Sequence, residues 1–131
     1  MNMNFPDNLR YTKDHEWIRL EGDEAFVGIT DFAQQELGDI VYVEIETLGK
    51  QLNAGEVFGT VEAVKTVSDL YLPLQGTILE INPQLNASPE LVNSDPYGKG
   101  WMIKIKIEPG QNLDGLMTLE QYQKQIASEG H

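Results

Sequence analysis

The sequence predicts a mainly β fold, a small sandwich or barrel decorated by short helices and ending in a C-terminal helix. Three observations predict it. Short runs rich in Val, Ile and Tyr recur between Gly and Pro breaks. Ile103, Ile105 and Ile107 alternate with Lys104 and Lys106, the period-two signature of a strand with one dry and one wet face. Helical signals are confined to brief segments with their own start and stop residues.

Taken in order, Glu16 to Leu20 and Ala25 to Ile29 form a hairpin, because Glu21, Gly22, Asp23 and Glu24 between them suit a tight turn. Asp31 followed by Gln34 resembles a capping box, and Phe32, Ala33 and Leu37 before Gly38 fit a short helix stopped by glycine. Ile40 to Ile45 is a β-rich run, and Gly49 and the stretch Asn53, Ala54, Gly55 mark the connection after it. Val57 to Val64 and Leu70 to Leu72 then flank Lys65, which falls near a strand-to-strand turn. Thr77 to Ile81 is a further strand, broken by Asn82 and Pro83. Ser88 and Pro89 start a short helix that Asp95 and Pro96 stop, Trp101 to Ile107 is the clearest strand, and Thr118 with Gln121 caps a final helix whose stripe is Leu119, Tyr122 and Ile126.

A length of 131 residues without a linker or low-complexity stretch fits one domain spanning 1–131. The absence of cysteine removes disulfides, thiolate nucleophiles and Cys-ligated metals. A net charge of -12 opposes binding to nucleic acid or to an anionic membrane, and no apolar run reaches membrane-spanning length. Met1 to Pro6 resembles neither a secretory signal nor an Arg-rich presequence, which points to the cytoplasm, or to the mitochondrial matrix if the chain is a processed organellar form. A polar, acidic surface predicts a monomer.

Residues for independent catalysis are scarce. There are two histidines, His15 and His131, and no Gly-rich phosphate loop or nucleophile motif. His15 lies between Asp14 and Glu16, a trio without convincing metal-ligand spacing. Among the lysines at 13, 50, 65, 99, 104, 106 and 124, Lys104 and Lys106 read as a solvated strand face, Lys124 as helix surface, and Lys50 and Lys99 as neighbours of turn glycines. Lys65 stands apart, in Glu62-Ala63-Val64-Lys65-Thr66-Val67-Ser68-Asp69, where a strand must reverse. A primary amine on a long stem, held on a rigid turn, suits attachment of a swinging group. The plainer reading of an isolated turn lysine is a solubilising charge.

The wider pattern decides between them. Gly59 to Asp69, continuing through Pro73 and Gly76, resembles the lipoylation segment of glycine cleavage system H proteins. Tyr11 to Trp17, Val27 to Asp31, Leu37 to Val41, and Ser88 to Tyr97 leading to Gly100 and Trp101 resemble that family in the same order. The resemblance implies a lipoyl-type barrel-sandwich hybrid of two small antiparallel sheets with short peripheral helices. It implies lipoic acid as a covalent lipoyl group on Lys65, with Glu16 and Asp69 in a cleft that shelters the loaded arm. It also implies a non-catalytic carrier. Its partners would be a pyridoxal-phosphate glycine decarboxylase, a tetrahydrofolate-dependent aminomethyltransferase, a dihydrolipoyl dehydrogenase, and a lipoate ligase or lipoyl/octanoyl transferase that attaches the arm. An H-like protein relaying lipoyl groups to other complexes is the alternative. Biotin is disfavoured because Val64 and Thr66, not methionines, flank Lys65. Phe32 departs from the family pattern, which often has His there, so no imidazole role transfers to it.

Overall fold

The β-rich runs form strands and the capped segments form helices in a computed structural model that describes residues 5, 6 and 8–129. Met1 to Asn4, part of the segment read for a leader, and His131 lie outside the described residues. In chain order the elements are β1 (Arg10–Tyr11), β2 (Glu16–Glu21), β3 (Glu24–Ile29), α1 (Asp31–Leu37), β4 (Ile40–Glu44), β5 (Gln51–Leu52) and β6 (Val57–Ala63). They continue with β7 (Val67–Tyr71), β8 (Gly76–Ile81), α2 (Gln84–Ala87), α3 (Leu91–Ser94), β9 (Ile103–Ile107) and α4 (Leu119–Glu129). Two antiparallel sheets result, one ordered β1-β2-β3-β9-β8-β5 and the other β4-β6-β7. The expected mainly β architecture, with short helices and a C-terminal helix, is what forms.

The β2–β3 hairpin closes on Gly22 and Asp23, with Gly22 at φ 67, as a two-residue turn with a positive first φ requires. At α1 the cap lies one residue earlier than the capping-box pattern suggests. Thr30 Oγ1 accepts the Ala33 N–H at 3.2 Å, while Asp31 accepts from the Gln34 side-chain amide at 2.6 Å. At α4 the box is reciprocal: Gln121 Oε1 accepts the Thr118 N–H at 2.9 Å and Thr118 Oγ1 accepts the Gln121 N–H at 3.3 Å. Ser88 and Pro89 do not open α3 directly. Their carbonyls accept the N–H groups of Leu91 and Val92, forming the turn that leads into it.

The facing sides of the two sheets share one apolar core. Ile18, Val27, Ile78, Ile103 and Ile105 come from the larger sheet and Val43, Phe58, Val61 and Leu70 from the smaller. Each such side chain contributes about 1.5–3 kcal/mol when fully buried. A second cluster of Leu9, Tyr11, Trp17 and Tyr122 pins α4 against β1 and β2, with the Tyr11 and Tyr122 rings stacked at 4.8 Å. Trp17 lies opposite Gly28 in the β2–β3 register, and a Cβ at Gly28 would sit 2.7 Å from Trp17 Nε1. Glycine is therefore what lets the indole lie flat across β3, where its N–H donates to the Pro96 carbonyl at 2.9 Å. This packing sets β2, and hence its first residue, Glu16. No helix among the described residues is long and apolar enough to cross a membrane.

Candidate functional site

Lys65 sits at the tip of the β6–β7 hairpin. Glu62 pairs with Val67, and beyond that pair the Ala63 N–H donates to the Thr66 carbonyl at 2.7 Å, leaving Val64 and Lys65 to make the reversal. The Val64 N–H also donates to the Asp39 carbonyl at 3.1 Å, which ties the tip to the start of β4. The backbone beneath Lys65 is thus held on two sides. Its side chain is exposed and makes no hydrogen bond or ion pair among the described residues. Lys104 differs, being bonded to Glu24 at 3.1 Å and lying 3.6 Å from Glu80. A free, exposed amine on a fixed turn is the geometry an acyl attachment needs, so Lys65 fits a lipoyl group.

Glu16 and Asp69 line one cleft of about 200 Å³, with His15, Phe32, Leu70 and Glu129 among its other walls. Two features of the chain produce it. Asp69 lies on β7, the edge strand of its sheet among the described residues, and β2 begins beside that edge. Glu16 Oε2 bridges the gap by accepting the Tyr71 N–H at 2.6 Å. Glu16 is only 2% exposed, and its Oε1 has no hydrogen-bond partner among the described residues. Burial raises the Glu16 pKa well above the ordinary carboxylate value; the Tyr71 N–H opposes that rise and the Asp14 charge adds to it. A buried carboxyl with one oxygen unsatisfied is poised to take a cationic hydrogen-bond donor. A larger cavity of about 470 Å³ shares Glu16 as a wall but takes in neither Asp69 nor the hairpin tip.

The raised pKa has a measurable sign. The folded chain retains the Glu16 proton to higher pH than the unfolded chain, so the stability linked to this group is fully present below the ordinary value of 4.5 and is lost as pH rises through the folded value. Glu16→Gln keeps an acceptor for Tyr71 and removes the titration. The variant is expected to gain melting temperature relative to the parent chain as pH climbs from about 4 to about 7. A difference that stays constant across that range would contradict the assignment.

His15 has a structural task. It is the one non-glycine among the described residues with a positive φ, 65°, a conformation uncommon outside glycine. Its ring is held firmly: Nδ1 lies 2.9 Å from the Tyr122 hydroxyl and Nε2 2.9 Å from Glu129, with the Phe32 ring at 4.8 Å. The Tyr122 hydroxyl also meets Thr30 Oγ1 at 2.7 Å, so α4 braces both the α1 cap and the turn before Glu16. Among the described residues no group of three or more His, Cys, Asp or Glu side chains is placed to hold a metal ion. Glu129 had no signal in the sequence, since only the docking of α4 brings it to the cleft.

The glycine cleavage H-protein family model matches residues 9–129. The chain belongs to the glycine cleavage H-protein family. The glycine cleavage system H protein of Bacteroides fragilis is 62% identical over 120 residues, covering 92% of this chain and 95% of that protein. The one from Geobacillus thermodenitrificans is 57% identical, covering 92% and 94%. The crystal structure of a glycine cleavage system H protein from Mycobacterium marinum superposes with a TM-score of 0.85 at 38% identity, covering 94% of this chain and 99% of that one. Family membership and the exposed hairpin lysine thus arise independently, one from the whole chain and the other from local geometry.

Proposed function

We propose that the chain, acting as one unit over residues 1–131, is a lipoyl carrier of the glycine cleavage system, with Lys65 as its attachment residue. The observation that carries this reading is an exposed lysine, without a hydrogen-bond or ion-pair partner among the described residues, on a braced hairpin tip in a chain of the H-protein family. Bound to Lys65, the lipoyl group supplies a disulfide able to take up the aminomethyl group left when glycine is decarboxylated. The protein's own residues present and shelter the arm. The β6–β7 hairpin fixes the stem while leaving the amine end free to move between partners. Glu16 and Asp69 hold the positively charged amine, and a cation beside Glu16 draws its pKa back toward the ionised form. Phe32, Leu37 and Leu70 exclude water from the loaded end.

The decarboxylase loads the arm, the aminomethyltransferase unloads it onto tetrahydrofolate, and dihydrolipoyl dehydrogenase reoxidises it. A lipoate ligase or lipoyl/octanoyl transferase attaches it. The chain itself catalyses none of these steps and works as a monomer in the cytoplasm. The test compares lipoylated and unlipoylated chain as substrate for glycine–bicarbonate exchange by the decarboxylase. Exchange is expected with the lipoylated form alone. Equal exchange with both forms would remove the carrier role.

A further inference from the structure

The smaller sheet has an outer face that the core does not use. Register places Tyr42, Glu62 and Val67 side by side across β4, β6 and β7, with Glu44, Thr60 and Asp69 in the next row. Val64 and Val41 adjoin them where the Val64 N–H meets the Asp39 carbonyl. Exposure is high for apolar side chains: 72% for Val64, 61% for Val67, 49% for Tyr42 and 47% for Val41. Four of the large hydrophobics most open to solvent therefore gather at the end of the sheet that carries Lys65. Scattered single apolar residues need no explanation, whereas a cluster rimmed by charge marks a contact surface.

The rim is of one sign. β4, β6 and β7 contain no Lys or Arg and contribute Glu44, Glu62 and Asp69. Glu46 adds to it, and hydrogen bonding to and repulsion from Glu46 raise the Glu44 pKa. A second copy of the chain would set these acids against themselves, and an anionic bilayer would repel them.

We propose that this face, centred on Tyr42, Val64 and Val67, is the docking surface for the decarboxylase that loads the arm, met by an apolar patch ringed with Lys and Arg at the mouth of its active site. The inference rests on the carrier reading. Docking there sets the Lys65 stem at the mouth itself, so a contact of modest size directs the arm inward. The acidic rim raises the rate of encounter, and the apolar centre sets residence.

The test uses full-length chain, lipoylated enzymatically and checked by intact mass. Tyr42→Ser combined with Val67→Ser is expected to raise the decarboxylase KM for the carrier about tenfold with little change in kcat. Val67→Thr, which keeps β-branching and strand propensity, guards against misfolding and is expected to show part of that rise. Leu20→Ser with Leu113→Ser, exposed apolar positions outside the smaller sheet, is expected to leave KM unchanged. Glu44→Gln is expected to weaken the salt dependence of kcat/KM. A wild-type chain that is used normally, beside a double variant with unchanged KM, overturns the docking surface alone. So does light scattering that shows a wild-type dimer split by the double variant. A lipoylated wild-type chain that the decarboxylase does not use overturns the carrier reading as well.

Discussion

Lys65→Arg is expected to reduce glycine-dependent turnover in a reconstituted glycine cleavage system to background while leaving the fold intact. Arginine keeps a positive charge and a long stem, but its guanidinium stays protonated and offers no amine to acylate. Because Lys65 is exposed and makes no hydrogen bond or ion pair among the described residues, stability is expected to change by no more than about 0.5 kcal/mol. The pairing of lost turnover with an unchanged melting curve is what distinguishes an attachment residue from a structural one. Retained turnover in the variant would mean that the arm, if present, is carried elsewhere.

Trp17→Ala is expected to give the largest loss of stability. The side chain is fully buried in the cluster that joins β1, β2 and α4, and its indole N–H satisfies the Pro96 carbonyl. Truncating a buried aromatic costs about 3–5 kcal/mol, and the freed carbonyl adds to that. For a chain of this size the melting temperature should fall by on the order of 10–20 °C in thermal denaturation. The start of β2 rests on this packing, so the cleft around Glu16 is expected to loosen as well. A shift of only a degree or two would show that the second cluster contributes little to holding α4 and β2 together.

Much of this architecture was legible in the sequence where a single strand or cap carries its own signal. The Ile103, Ile105, Ile107 alternation marks β9, Gly22 marks the first hairpin, and Thr118 with Gln121 marks the start of α4. The short strands β1 and β5 were not legible, because two residues carry no period and gain their identity only by pairing with β2 and β8. α2 was hidden for a similar reason: it is one turn long, and Asn82, whose Oδ1 accepts the Gln84 N–H at 3.1 Å, had read only as a strand breaker.

The site divides along the same line. Lys65 stood apart by its place at a strand reversal, but only the family resemblance favoured an attachment role over a solubilising charge. Glu16 and Asp69 came from family resemblance, not from spacing. They are far apart in sequence, and only the open edge of β7 lying beside β2 brings them to one cleft. The His15 conformation has no local signal at all. It is maintained by Tyr122 and Glu129, more than a hundred residues further along the chain. Phe32 packs against the His15 ring and forms an apolar wall of the cleft, a contact that the spacing of the two residues in the chain does not announce.

The most direct measurement is intact mass followed by peptide mapping of the chain purified from its native source in lipoate-replete cells. A lipoyl adduct on the peptide containing Lys65 is predicted. An unmodified Lys65, in cells whose other lipoyl proteins are shown to be modified, would contradict the carrier account.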